Sequence, residues 1–225
     1  MNTTLLIPQQ PQNHALDCSI KQQINNMIDD LMASLPDIKD LTSAERRGII
    51  ARYTAVLEGN FIYWMTATLL AVKSEEARPI LLDNLHEEVR DAHPAMMRRC
   101  AMAAHAFPTD ADAIDVHDDM TNVRLFLGKL SGVQSVLTMA FFEGFIQRFM
   151  GYLAALAKAQ GSDDMEYTDV HGVCDIAHTD GLFCALSVEM GINPLDPEMD
   201  LFEGVYLLRT LIENIVFNRV EALSA

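Results

Sequence analysis

At 225 residues with a formal net charge of −16, the chain is short enough to fold around one core. It is too acidic for nucleic acid or an anionic membrane surface, both of which need clustered Lys and Arg. Half of its residues are apolar, a globular composition rather than a disordered one. Cys18, Cys100, Cys174 and Cys184 are scattered, and the first residues lack the charged-then-apolar order of a signal peptide, so a reducing cytoplasm is expected. The apolar runs 61–72 and 136–145 are too short or interrupted to span a bilayer.

Residues 1–18, with Pro8, Pro11, Gln9, Gln10 and Gln12, read as a flexible N-terminal arm ahead of a single helical domain over 19–225. Ile20, Ile24, Met27, Ile28 and Leu31 then recur at steps of three and four, the stripe of an amphipathic helix. Breakers at Leu35-Pro36, Arg78-Pro79, His93-Pro94, Phe107-Pro108, Gly161-Ser162 and Asn193-Pro194 divide the remainder of the chain. Thr42, Ser43 and Glu45 suit a helix start. The spacing predicts helices near 19–34, 43–73, 77–92, 95–106, 110–128, 130–160, 165–190 and 197–222, with no alternating strand pattern between them. The fold class is therefore all-α, a bundle of seven or eight helices, and bundles place metals or cofactors between facing helices.

Within the helix at 165–190, His171, Asp175 and His178 succeed one another by four and three residues, which puts them in a sector of roughly 60°. Imidazole and carboxylate in one row form a transition-metal ligand set; a solvated polar face is the other reading. Glu143 is the only charged residue between Lys129 and Arg148, among Met139, Phe141, Phe142 and Phe145. It either reaches water or has a cation to offset its burial. In the helix at 77–92, Leu81, Leu82, Leu85 and Val89 make the apolar stripe, so Glu88 on its flank is the inward candidate and Glu87 points away. Pro94 ends or bends that helix, which lets His93 turn back to the bundle axis. His86 is an alternative on the same flank, and Glu58 lies beside Leu57, Phe61 and Trp64 on another helix.

The run Asp83-Asn84-Leu85-His86-Glu87-Glu88, then His93, then Glu143 in an aromatic helix, then His171-x-x-x-Asp175-x-x-His178 resembles the haem-oxygenase-like diiron oxidases and oxygenases over roughly residues 45–220. That resemblance implies a haem-oxygenase-like bundle. It implies two Fe(II)/Fe(III) ions held by Glu88, His93, Glu143, His171, Asp175 and His178, with dioxygen as co-substrate. Glu88 and Glu143 become catalytic candidates, as does Glu58, which matches a position where some members add a further carboxylate. One departure is that Glu88 and His93 stand closer together than is usual, so the turn between them must differ.

The resemblance further implies oxidation of a C–H or N–H bond in a small molecule. The short chain favours an amino acid or amino-acid-derived substrate of secondary metabolism, with Arg148 as the nearest cation for a substrate carboxylate. An electron donor and a homodimer are both compatible with the sequence; nucleic acid and membrane partners are not expected. Phe61, Trp64, Met65, Phe141, Phe142, Phe145 and Phe183 flank the ligands and read as pocket wall or as core. A fatty-acid oxidative decarboxylase of the same fold is the alternative and would need a long apolar channel. A thiamin-salvage-like hydrolase would need a cysteine nucleophile, and Cys174 sits one position round the helix from the row. A helical binding module without redox chemistry and a haem protein complete the alternatives, and a single proximal His would leave Glu88, Glu143 and Asp175 without a role.

Overall fold

The computed structural model describes residues 12–218, with side chains from residue 19 onward. Its described residues form nine helices and no strand: α1 (Gln12–Ala33), α2 (Ser43–Ala71), α3 (Ala77–Arg90), α4 (His93–Ala103), α5 (Asp110–Asp115), α6 (His117–Leu127), α7 (Gly132–Ala159), α8 (Glu166–Ile192) and α9 (Glu203–Phe217). The chain is thus all-α. None of these helices is long and apolar enough to cross a membrane.

The bundle is organised around α7, which is apolar on nearly every side and buried along most of its length, as a central helix must be. Its Phe141, Phe142, Phe145 and Phe149 are almost fully enclosed, each contributing about 1.5–3 kcal/mol by burial. α8 makes the most extensive contact with it, and α2, α9 and α1 cover the remaining faces. α9 comes so close that a Cβ on Gly204 would lie 2.1 Å from Thr138 Oγ1 of α7 and 2.2 Å from the Phe126 ring of α6. Only glycine allows that approach.

Several boundaries differ from those expected. Residues 12–18, assigned to an arm, continue α1, while residues 1–11 and 219–225 lie outside the described residues. The segment 110–128 is two helices that meet at Val116, whose ψ of 2 interrupts the α-helical path. A Thr109/Asp112 capping box starts the first of them, and a Thr42/Glu45 box starts α2. The last helix starts at Glu203 rather than near 197.

Two further breaks position the site. α2 is interrupted at Glu58 (ψ 96) and Gly59 (φ 84), where glycine supplies the left-handed conformation at no steric cost. Between α3 and α4, Ala92 takes φ 56 and ψ 41, and α4 then starts at His93 with Pro94 in its first turn, where no backbone donor is lost.

Candidate metal centre

α8 presents its polar row inward. His171 is 4% and Asp175 1% exposed, whereas Val173 and Ile176 between them are 72% and 53% exposed. α3 does the same: Asn84 and Glu88 are buried with Ala77 and Leu81, while Leu82 and Val89 face out. The stripe read from the sequence therefore holds at Leu81 and at half-buried Leu85 but not at Leu82 and Val89, and Glu88 is the buried carboxylate of the pair. His93, at the start of α4, and Glu143, in the middle of α7, are also buried.

Two groups of donor atoms result. Oε1 of Glu88 lies 2.7 Å from His93 Nδ1 and 3.7 Å from His171 Nε2, and one donor atom from each of these residues falls within 4.8 Å of the others. In the second group, His178 Nδ1 lies 3.6 Å from Asp175 Oδ1 and 3.8 Å from Glu143 Oε2. Both distances are too long for hydrogen bonds. Glu143 faces both groups, since it also lines a cavity with Glu88, His93 and His171.

Three of the candidate ligands are already held from their outer sides. His171 Nδ1–H donates to the carbonyl of Tyr167 at 2.9 Å. His178 Nε2–H donates to Glu87 Oε2 at 2.9 Å, and Asn84 Nδ2 donates to Glu143 Oε1 at 2.8 Å. An imidazole whose outer nitrogen is fixed as the donor has its inner nitrogen left to offer a lone pair. Glu87 is thus not turned away from the site, as its position on the helical wheel suggested; it orients His178.

Electrostatics set the same demand. Burial alone would raise the Glu88 carboxyl, but His171 and His93 hold it down to about 2. Glu143 moves the other way, raised first by burial and then by the charge of Asp175. Burial would lower His178, but Asp175, Glu143 and Glu87 outweigh it and raise the imidazole to about 11. Without a cation, then, protons balance the carboxylates; a bound cation would displace them.

A metal fits these residues on a separate observation. Asp175 Oδ2 and His178 Nδ1 are both buried and have no hydrogen-bond partner, which is costly unless a cation takes the lone pair of the oxygen and, in place of its proton, that of the nitrogen. The adjoining cavity is about 20 Å3, room for one or two waters, and its walls are Leu57, Phe61, Ile62, Pro94, Met97 and Ile146.

Other candidates lie elsewhere. Glu58, at the α2 break, pairs with Arg98 of α4 and belongs to neither donor group. Arg148 is held by Asp29 and Asn25 of α1 and does not line the cavity, so a substrate carboxylate there would have to displace those partners. His86 is exposed. Of the aromatic and Met positions, Phe61 lines the cavity, Trp64, Met65, Phe141, Phe142 and Phe145 are core, and Phe183 lies under Lys21.

Sequence reasoning assigned no role to Glu87, Asn84 or the Tyr167 carbonyl. Asn84 was legible in one respect, as a polar residue one turn before Glu88 on the same face. Compared with known proteins, the chain matches no family model and no curated protein.

Proposed function

We propose that this chain is a non-haem diiron oxidase or oxygenase of haem-oxygenase-like fold that uses dioxygen to oxidise a small amino acid or amino-acid-derived substrate. The observation that carries this reading is the convergence of outward-satisfied imidazoles on buried carboxylates, with Asp175 Oδ2 and His178 Nδ1 left without a partner. His171 and His178 each donate one N–H outward, and the atoms turned inward meet three buried carboxylates, Glu88, Glu143 and Asp175.

Glu88, His93 and His171 would hold one iron, Asp175 and His178 the other, with Glu143 placed to serve both. Bound iron would supply the electrons that reduce dioxygen, with an external donor completing the balance where the product requires it. Carboxylate ligands favour that oxidation because anionic oxygens stabilise ferric over ferrous iron. The protein's own part is to orient and to exclude water. Asn84 fixes the Glu143 carboxylate, the Tyr167 carbonyl fixes the His171 tautomer, and Glu87 fixes that of His178. Leu57, Phe61, Ile62 and Met97 keep the cavity apolar and small.

The test is anaerobic loading with Fe(II), counting of bound iron, and an optical spectrum on exposure to oxygen. About two irons per chain and an oxygen-dependent visible absorption are expected. Binding of zinc alone, with no response to oxygen, would replace this reading with that of a non-redox helical module.

A further inference from the structure

Cys174 stands beside the second donor group and has no part in the six-residue ligand set. Its Sγ lies 3.2 Å from Asp175 Oδ1, and Sγ, a carboxylate oxygen of Asp175 and a ring nitrogen of His178 all fall within 4.8 Å of one another. We propose that Cys174 is a thiolate ligand of the metal held by Asp175 and His178. This rests on the diiron reading only in requiring a cation at that position.

Ligand spacing supports it. A metal about 2.3 Å from sulfur and about 2.0–2.2 Å from oxygen and nitrogen holds its donor atoms roughly 2.8–3.9 Å apart at angles of about 90–120°. The 3.2 Å between Sγ and Asp175 Oδ1, and the 3.6 Å between that oxygen and His178 Nδ1, are both in this range. Glu143 Oε2, at 3.8 Å from the same nitrogen, is near its upper end.

The second observation is independent of the cysteine. Asp175, 1% exposed, has its second oxygen, Oδ2, without a partner, and His178 Nδ1, which faces Oδ1, has none either. The group therefore holds two buried polar atoms that no protein group uses, the nitrogen becoming a donor to a cation once its proton is displaced, and the sulfur completes a third corner. Without metal, the thiol donates weakly to Asp175. Burial, and then the charges of Asp175, Glu143 and Glu88, oppose its ionisation. A divalent ion reverses that balance, since the carboxylates that resist a free thiolate attract the ion that binds one.

The consequence is that the two metal positions differ in kind. Glu88, His93 and His171 form a nitrogen and oxygen site, whereas Cys174, Asp175 and His178 form a softer one that a thiophilic ion should fill first.

The experiment is an anaerobic titration of the reduced, metal-free full chain with Co(II), monitored in the near ultraviolet, where sulfur-to-cobalt charge transfer absorbs. Bound cobalt is counted by elemental analysis. The wild type is expected to develop the band and saturate it near one equivalent; Cys184→Ala, whose sulfur is exposed and outside the group, should match it. Cys174→Ala should lose the band while still binding cobalt.

A second measurement needs no variant. Iodoacetamide labelling of wild-type Cys174, read by peptide mass, should slow at least tenfold with cobalt while labelling of Cys184 is unchanged. Cobalt bound without the band, a band that survives in Cys174→Ala, or equal labelling rates would overturn the assignment and leave the diiron reading standing. Absence of any bound cobalt in the wild type would overturn both.

Discussion

Replacing Glu143 by Gln separates what this carboxylate does to the metal-free protein from what it does to the loaded one. Glu143 is 2% exposed, one oxygen accepts from Asn84 at 2.8 Å, and the other faces His178 at 3.8 Å. Burial and Asp175 both disfavour its charged form. The amide keeps the Asn84 bond through its carbonyl oxygen and removes the charge. Metal-free Glu143→Gln should therefore be as stable as the wild type, or more stable by up to about 1–3 kcal/mol. Iron acts in the opposite direction. At an ion concentration a hundredfold above Kd, binding to the native state alone adds about 2.7 kcal/mol, roughly 5–11 °C in Tm for a chain of this size. If loss of the anionic oxygen weakens binding about a hundredfold, the same concentration only equals Kd and the gain drops to about 0.4 kcal/mol, roughly 1–2 °C. Thermal unfolding of both proteins, anaerobically with and without Fe(II), measures the four quantities. Equal iron-induced shifts would refute the reading of Glu143 as a metal ligand.

Glu88→Ala should lose most bound iron, whereas Glu87→Gln, which keeps a hydrogen-bond acceptor for His178 but loses its charge, should weaken binding by about 10–100-fold; affinities equal to the wild type's in iron titrations would show that neither contact matters. Asp112 accepts two bonds from Arg47 and caps α5 through Thr109, so Asp112→Asn should cost about 1–3 kcal/mol in urea unfolding at pH 7. Burial would raise the Asp112 carboxyl, but Arg47 and Thr109 hold it below its ordinary value. That stability is fully present above the unfolded pKa of about 3.9 and is lost as pH falls through the lower folded one, so the two proteins should converge in acid. Gly204→Ala places a methyl group against Thr138 and Phe126 and should lower stability by about 1–3 kcal/mol; an unchanged unfolding midpoint would mean that α9 shifts without cost.

The legible part of the site owes its legibility to helical period and to isolation. The row His171, Asp175, His178 could be read because steps of four and three return to one face, and Glu143 because it is the lone charge in a run of aromatics. The apolar stripe of α3 was misread at Leu82 and Val89 for a physical reason. Periodicity assumes that apolar residues point inward, and at this cluster two helices invert the rule: Asn84 and Glu88 face in while Val89 faces out, and His171 and Asp175 face in while Val173 and Ile176 face out. The α2 break at Gly59 was not legible, because a single glycine inside a helical pattern is usually tolerated. Arg148 and Glu58 stand out only by nearness along the chain or helix. Their structural partners, Asp29 and Arg98, come from other helices that no local pattern reveals.

The short spacing between Glu88 and His93 is resolved by the turn at Ala92. Five residues along an unbroken helix turn through about 500°, which leaves the two side chains roughly 140° apart and on different faces. Ending α3 at Arg90 and setting Ala92 at φ 56 swings the chain so that His93 begins a new helix with its ring 2.7 Å from Glu88. A left-handed conformation at a residue with a Cβ costs about 1–2 kcal/mol, and Ala92 bears that cost where glycine would not. Pro94 in the next helical position fixes the direction of α4 without losing a backbone bond. That strain sits one residue from a buried histidine and serves to bring it onto a carboxylate of the preceding helix. The turn therefore belongs to the candidate metal centre as much as the side chains do: the carboxylates come from the packed helices α3, α7 and α8, but His93 reaches them only because the backbone departs from helical geometry between α3 and α4.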